Sequence, residues 1–141
     1  MSSRIERFFA SFGDLEAAKA LVDAEAILIG VRREAYPEMP LYGAFHGHAG
    51  LESFIAGLRA AYEPQMFRID DLVETDSIGF AAGRVRHRLR ATGAEFASHF
   101  AVRCRFRGGL ITHYRIYEDS AATEAAFGVS TVPRESVAAP D

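Results

Sequence analysis

The sequence predicts one α+β domain in which a curved antiparallel sheet is covered by about three helices from its N-terminal half. Two patterns carry that expectation. Up to Tyr62 the apolar residues recur at helical spacing, and from Phe67 onward the period changes to two, with short turns between alternating segments. The composition agrees: 141 residues, 49% hydrophobic and 25% charged, suit one ordinary hydrophobic core.

Ser3-Arg4-Ile5-Glu6 reads as a capping box, and Ile5, Phe8, Phe9 and Phe12 follow at helical spacing until Gly13. Asp14 caps a second short helix with Leu15, Ala18 and Val22 on one face. Ala26 to Val31 is a short β-rich run, and Arg32 to Gly50 reads as a loop or bent strand. Leu51, Phe54, Ile55, Leu58 and Tyr62 define a third helix, which Pro64 ends. Strands are expected near Phe67–Glu74, Gly79–Ala91, Glu95–Arg107 and Leu110–Glu118, joined in an antiparallel meander. Asp119 to Ala126 adds a helical turn. The domain is expected to span 1–128, with 129–141 as a C-terminal tail containing two prolines.

Alternation assigns the faces. Arg84, Arg86, Arg88 and Arg90 share one side of their strand, and Val85, His87 and Leu89 share the other. In the next strand Phe96, Ser98, Phe100, Val102, Cys104 and Phe106 oppose a side containing Arg103, Arg105 and Arg107. Tyr114 and Ile116 are placed inside on the last strand, although apolar groups occur on both of its sides. The inner face needs cover, and helices bearing Phe8, Phe12, Phe54 and Leu58 supply it. A lining of Phe12, Phe54, Leu58, Val85, Leu89, Phe100, Val102 and Ile116 suits a small-molecule pocket as well as a solid core.

His87 is the first candidate for chemistry, because an imidazole held among apolar residues titrates near neutrality and can move protons. The same position also suits a core histidine satisfied by a backbone carbonyl or water. Tyr114 could donate a hydrogen bond to a carbonyl ligand, or to a partner within the core. His46 and His48 fall where a helix begins, in positions that suit an anion or metal ligand as well as exposed turn residues. No carboxylate stands at convincing ligand spacing from them, so no metal is expected. Cys104 has no partner for an intramolecular disulfide and reads as a small buried hydrophobe.

Function classes are narrowed by charge and hydropathy. A net charge of -3 argues against a nucleic-acid partner, leaving the arginine face as a solvated or dimer-forming surface that pairs with a partner's acids. No run approaches the roughly 18 apolar residues of a membrane span. A cytoplasmic protein without a membrane partner is therefore expected.

The segment Tyr42-Gly43-Ala44-Phe45-His46-Gly47-His48-Ala49-Gly50-Leu51 leading into a helix resembles one group of proteins. So does the ending from Gly109-Leu110-Ile111 to Tyr117-Glu118-Asp119. Both are similar to the SnoaL-like polyketide cyclase and ketosteroid isomerase group of the nuclear transport factor 2-like superfamily, over about Ile5 to Phe127. The resemblance implies a cone-shaped barrel with a pocket at its wide end, a small hydrophobic ligand, no cofactor, and a homodimer. It implies a cyclase, isomerase or dehydratase moving protons beside a carbonyl, or a non-catalytic binding or dimerisation module of the same fold.

Carried over by position, most of the group's catalytic residues are missing. Where ketosteroid isomerases hold a tyrosine and an acid as oxyanion donors, this chain has Phe8, Phe9, Phe12 and Val102. Where limonene epoxide hydrolase holds an arginine and two aspartates, it has Val85, His87 and Ile116. The isomerase base falls in the loop containing Glu34, Tyr36 and Glu38. The aspartate that polyketide cyclases use as a base at the end of the last strand matches Asp119, which also reads as a helix N-cap. The resemblance thus adds Asp119 to His87 and Tyr114 as the catalytic candidates.

Overall fold

The computed structural model describes residues 2–131. It contains α1 (Arg4–Ala10), α2 (Leu15–Ala20), β1 (Val22–Gly30), β2 (Gly43–His46), α3 (Gly47–Ala61), β3 (Tyr62–Glu74), β4 (Ile78–Leu89), β5 (Glu95–Arg107), β6 (Leu110–Glu118) and α4 (Ser120–Phe127). The strands form one curved, open sheet in the order β2-β1-β6-β5-β4-β3. The predicted α+β class is correct. So is the meander from β3 to β6, whose successive pairs are all antiparallel.

One pairing departs from the expected antiparallel sheet: β1 lies parallel to β6, with Leu28 opposite Tyr114 and Gly30 opposite Ile116. The intervening helices and strands give the chain ample length for such a crossover. The irregular stretch after Val31 also contains a regular element, β2, paired antiparallel to β1.

Local chemistry fixes the ends of the elements. The capping box of α1 is present: Ser3 Oγ accepts from the Glu6 backbone N–H at 3.0 Å, and the Glu6 carboxylate accepts from the Ser3 N–H at 3.0 Å. Glu74 of β3 adds a second carboxylate there, accepting from the Arg4 and Ile5 N–H groups at 3.2 and 2.9 Å. Those bonds pin α1 to the far end of the sheet. The third helix starts four residues before the expected Leu51 and gives way at Tyr62 directly to β3. Pro64 lies inside β3, which is tolerated because β3 is an edge strand and the register slips between Pro64 and Met66. Gly108 and Gly109 both have positive φ, +59° and +79°, as a two-residue turn between β5 and β6 requires.

The predicted faces of β4 and β5 are observed. Val85, Leu89, Phe96, Ser98, Phe100, Val102, Cys104 and Phe106 are buried, while Arg86, Arg88, Arg105 and Arg107 are exposed. The main core joins these strands to Ile5 and Phe8 of α1, Ala18 of α2, and Leu51, Phe54 and Ile55 of α3. A second cluster of Tyr62, Leu89 and Phe96 lies at the α4 end, packed by Leu58 and Phe127.

The arginine face is partly paired within the chain itself. Arg84 pairs with Asp70 at 3.1 Å and Arg88 with Glu95 at 2.8 Å, so these two find their acids within the same chain, on neighbouring strands. Cross-strand neighbours lie close enough for this, which alternation along one strand does not reveal. The predicted tail at 129–141 falls mostly outside the described residues. Its described part is bonded back to the domain: Thr131 donates its N–H to Glu124 at 2.7 Å, and Tyr36 donates to the Ser130 carbonyl at 3.4 Å.

Candidate functional site

The three candidate catalytic side chains occupy different places. His87 is half-buried in the second cluster, its ring stacked on Tyr62 at 4.6 Å and 9° and tilted against Phe96 at 5.8 Å. Its Nδ1 is buried without a hydrogen-bond partner. Burial alone lowers the imidazole to a pKa of about 4, so the ring is neutral at pH 7. Tyr114 lies in the main core, with its ring 5.4 Å from Phe8 and 5.9 Å from Phe54. Its hydroxyl is held protonated by that burial.

Strand register shows how far apart these two are. His87 pairs with Phe96 and Tyr114 with Cys104, two positions eight residues apart along β5. At about 3.4 Å per residue this is roughly 27 Å along the sheet. His87 and Tyr114 therefore do not meet in one site.

Asp119 is the N-cap of α4, accepting the Ala122 N–H at 3.3 Å. Its own N–H donates to Ser98 Oγ at 3.0 Å and to the His99 carbonyl at 3.2 Å. The residue beside it has the inward position. Alternation along β6 places Glu118 on the face of Tyr114 and Ile116, opposite Phe100. Burial raises the Glu118 carboxyl to about 7; the Thr123 side chain pulls the other way, and the nearby Asp119 and Glu124 carboxylates push it further up. Glu118 can hold or release a proton near neutrality.

Two tyrosines lie within the electrostatic reach of Glu118. Burial, with Glu118 as the next cause, raises the Tyr62 phenol far above its usual range. Tyr42 is buried and donates to Glu124 Oε2 at 2.7 Å. Burial would raise the Glu124 carboxyl, yet hydrogen bonds from Tyr42 and Thr131 outweigh it and hold Glu124 below the usual range. Glu118 and Glu124 thus shift in opposite directions for a physical reason: Glu124 accepts hydrogen bonds from its donors, whereas Glu118 is mainly desolvated.

Beside this group a cavity of about 270 Å³ opens between α4 and the segment after β1, lined by Val31, Arg32, Tyr42, Ser120, Ala121, Glu124 and Thr131. Val31 has φ +62°, an unusual conformation for a β-branched residue. Its N–H donates to the Ile116 carbonyl at 3.0 Å, and its carbonyl accepts from Arg115 Nη2 at 2.9 Å. This bend directs the chain over the cavity.

The predicted lining residues are packed together. Phe54, Val85, Phe100 and Val102 are buried in the main core, Phe12, Leu58 and Ile116 pack against it, and Leu89 belongs to the second cluster. Glu34 is exposed and paired with Arg32, and Glu38 is exposed as well, so neither carboxylate points into the core. His46 is exposed at the start of α3, and His48 Nε2 lies 2.8 Å from the Val22 carbonyl. Burial pushes the Cys104 thiol up to about 12, leaving it unreactive.

Glu118 was accessible to sequence reasoning. An inward Tyr114 and Ile116 imply an inward Glu118 at the same spacing of two. Tyr42, Tyr62 and Glu124 leave no such signal, because they are brought together from distant parts of the chain.

Among the described residues no helix is long and apolar enough to cross a membrane. No curated protein sequence matches the chain. Solved structures share its fold. A candidate isomerase from Rhodopseudomonas palustris is 15% identical, with a TM-score of 0.79 over 92% of this chain and 99% of that one. An NTF2-like protein from Burkholderia xenovorans LB400 is 21% identical, with a TM-score of 0.77 over 88% and 92%. A candidate polyketide cyclase from Xanthomonas campestris pv. campestris is 17% identical, with a TM-score of 0.72 over 88% and 93%. The family model of the SnoaL-like domain matches residues 5–114, and with its order of elements and six-stranded sheet the chain belongs to that family.

Proposed function

We propose that this protein is a cofactor-independent enzyme that moves a proton beside the carbonyl of a small hydrophobic compound, as a cyclase, isomerase or dehydratase. The inward Glu118 at the end of β6 is the observation that carries the reading. A carboxyl that titrates near neutrality takes a proton from carbon and returns it without large cost in either direction. Tyr62, protonated at neutral pH and within the electrostatic reach of Glu118, is a candidate to donate to a developing oxyanion. In this reading Asp119 positions Glu118 by capping α4, His87 supports the Tyr62 ring, and Tyr114 fills the core. The cavity beside Tyr42 and Ser120 is the entry for ligand, with α4 as its cover.

Deuterium wash-in next to the carbonyl of cyclic β,γ-unsaturated ketones, followed by NMR in D2O, tests this directly. Wash-in above the buffer rate is expected, with a loss of about 100-fold or more in Glu118→Gln. Buffer-level wash-in together with saturable ketone binding would favour the second reading, a non-catalytic ligand module. Packing of all eight expected lining residues into the two clusters supports instead the other non-catalytic form, a dimerisation module.

The same protein is inferred to form a homodimer through its outer sheet face. Val73 and Phe80 are paired across β3 and β4 and are 68% and 50% exposed, an unusual placement for large apolar side chains. A dimer mass at micromolar concentration is expected, shifting to monomer in Phe80→Glu. A monomer mass for the unmodified chain contradicts it.

A further inference from the structure

The outer face of the sheet carries a second concavity that the proton-transfer reading does not use. It holds about 160 Å³ between β1, β5 and β6, and its walls include Arg33, Arg103, Arg105, His113 and Arg115. Ile27, Ile29, Tyr114 and Tyr117 complete its lining.

Strand register explains the concentration of charge. Arg103 is paired directly with Arg115, and Arg105 directly with His113, while Ile29 and Ile27 continue the two rows onto β1. Like charges at directly opposed positions destabilise a sheet. Elsewhere on this face the cost is offset, since Arg84 has Asp70 and Arg88 has Glu95. Arg103 and Arg105 form no ion pair among the described residues. The chain as a whole has a net charge of -3, so this is a local concentration of positive charge.

Some of these groups are already positioned. The Arg115 guanidinium donates to the Val31 carbonyl at 2.9 Å and lies 4.8 Å from the centre of the Tyr117 ring. His113 Nδ1 is 3.0 Å from Thr112 Oγ1. Held in this way, the Arg115 guanidinium loses little freedom on meeting an oxyanion, and the planar forks of Arg103 and Arg105 match such a group in pairs. The volume equals about five waters, enough for a phosphate with a small organic body and too small for a nucleotide chain.

We propose that this cleft is a binding site for a small phosphate ester, with Arg103 and Arg105 as its principal ligands and Ile27 and Ile29 receiving the apolar part. It is independent of the proton-transfer site on the inner face.

Calorimetric titration with phenyl phosphate, inorganic phosphate and pyrophosphate at fixed physiological ionic strength tests it, with oligomeric mass measured in parallel. Saturable binding at one site per chain is expected. The double variant Arg103→Gln/Arg105→Gln should weaken it about tenfold or more, whereas Arg107→Gln, outside the cleft, should leave it within about twofold. Removing two crowded like charges should leave the fold as stable as before, which a thermal melt checks. Tighter binding of phenyl phosphate than of inorganic phosphate supports the ester, and equal affinity overturns the ester in favour of the bare ion.

Three results would overturn the site altogether. One is no binding, or equal weakening by Arg107→Gln, which denotes diffuse charge. Another is displacement of pyrophosphate by a tighter-binding oligonucleotide, which assigns the face to nucleic acid. The third is loss of binding only together with a change of oligomeric mass, which assigns the arginines to an interface between copies.

Discussion

Glu118→Gln is expected to stabilise the protein by about 2–3 kcal/mol at pH 8 and to reveal a stability that climbs with pH between about 4 and 6.5. The Glu118 carboxyl has a folded pKa of about 7, above the ordinary 4.5. The folded state therefore holds a proton that the unfolded state has released between those values. This contribution is fully present below pH 4.5 and is lost as pH rises through 7. At pH 8 the native protein bears a desolvated carboxylate that glutamine replaces with a neutral group of the same shape.

His87 has the opposite slope. Its folded pKa is about 4 against 6.5 unfolded, so the unfolded chain takes up the proton first as pH falls. Stability is intact above pH 6.5 and is lost on the way down to 4, by about 2 kcal/mol after allowance for the ring's partial exposure. The two slopes nearly cancel in the native protein. His87→Phe retains the stack on Tyr62 and removes only the imidazole slope, leaving stability that falls as pH rises from 4.5 to 7. Urea melts of the two variants across that range must slope in opposite directions. Parallel curves would show that neither group is desolvated as described.

The parts of this fold legible in sequence are those written in local period. Arg84 through Leu89 alternates cleanly, and the strand it predicts has the predicted inside and outside. The capping box at Ser3 and the cap at Asp119 were legible because a cap is a four-residue signal. The parallel β1 and β6 pair was not, because strands separated by most of the chain leave no local trace of their register.

The candidate site was less legible for a related reason. The match to a family's terminal aspartate selects Asp119 by residue type, and a shift of one residue in a strand reverses the face. Type pointed to Asp119, whereas geometry turns Glu118 inward. The stacking partner of His87 comes from the start of β3, and the Tyr42, Glu124 and Thr131 network joins three separate segments. A single sequence supplies no rule for such encounters.

Phe8→Ala is expected to cost about 3–5 kcal/mol and, at about 3–4 °C per kcal/mol for a domain of this size, to lower Tm by about 9–20 °C. Phe8 is fully buried, with ring centroids 4.9 Å from Phe12 and 5.4 Å from Tyr114 in edge-on contacts. Its truncation leaves an apolar void between α1 and β6, because neighbours pinned by the Glu74 clamp can close only part of it. Phe9→Ala should cost clearly less, since Phe9 is only partly buried against Phe67 and Phe100.

The comparison bears on function. If α1 opens as a lid over an inner pocket, Phe8→Ala costs no more than Phe9→Ala, and the amides of α1 exchange well before global unfolding. If α1 is fixed core, the large loss appears, α1 amides exchange with the rest of the domain, and a small apolar solute such as benzene raises the Tm of the variant by filling a dry void. The clamp and the packed aromatics make the second outcome the expected one. On the proposed reading, ligand then enters from the α4 end, near Glu118, Tyr62 and the 270 Å³ cavity.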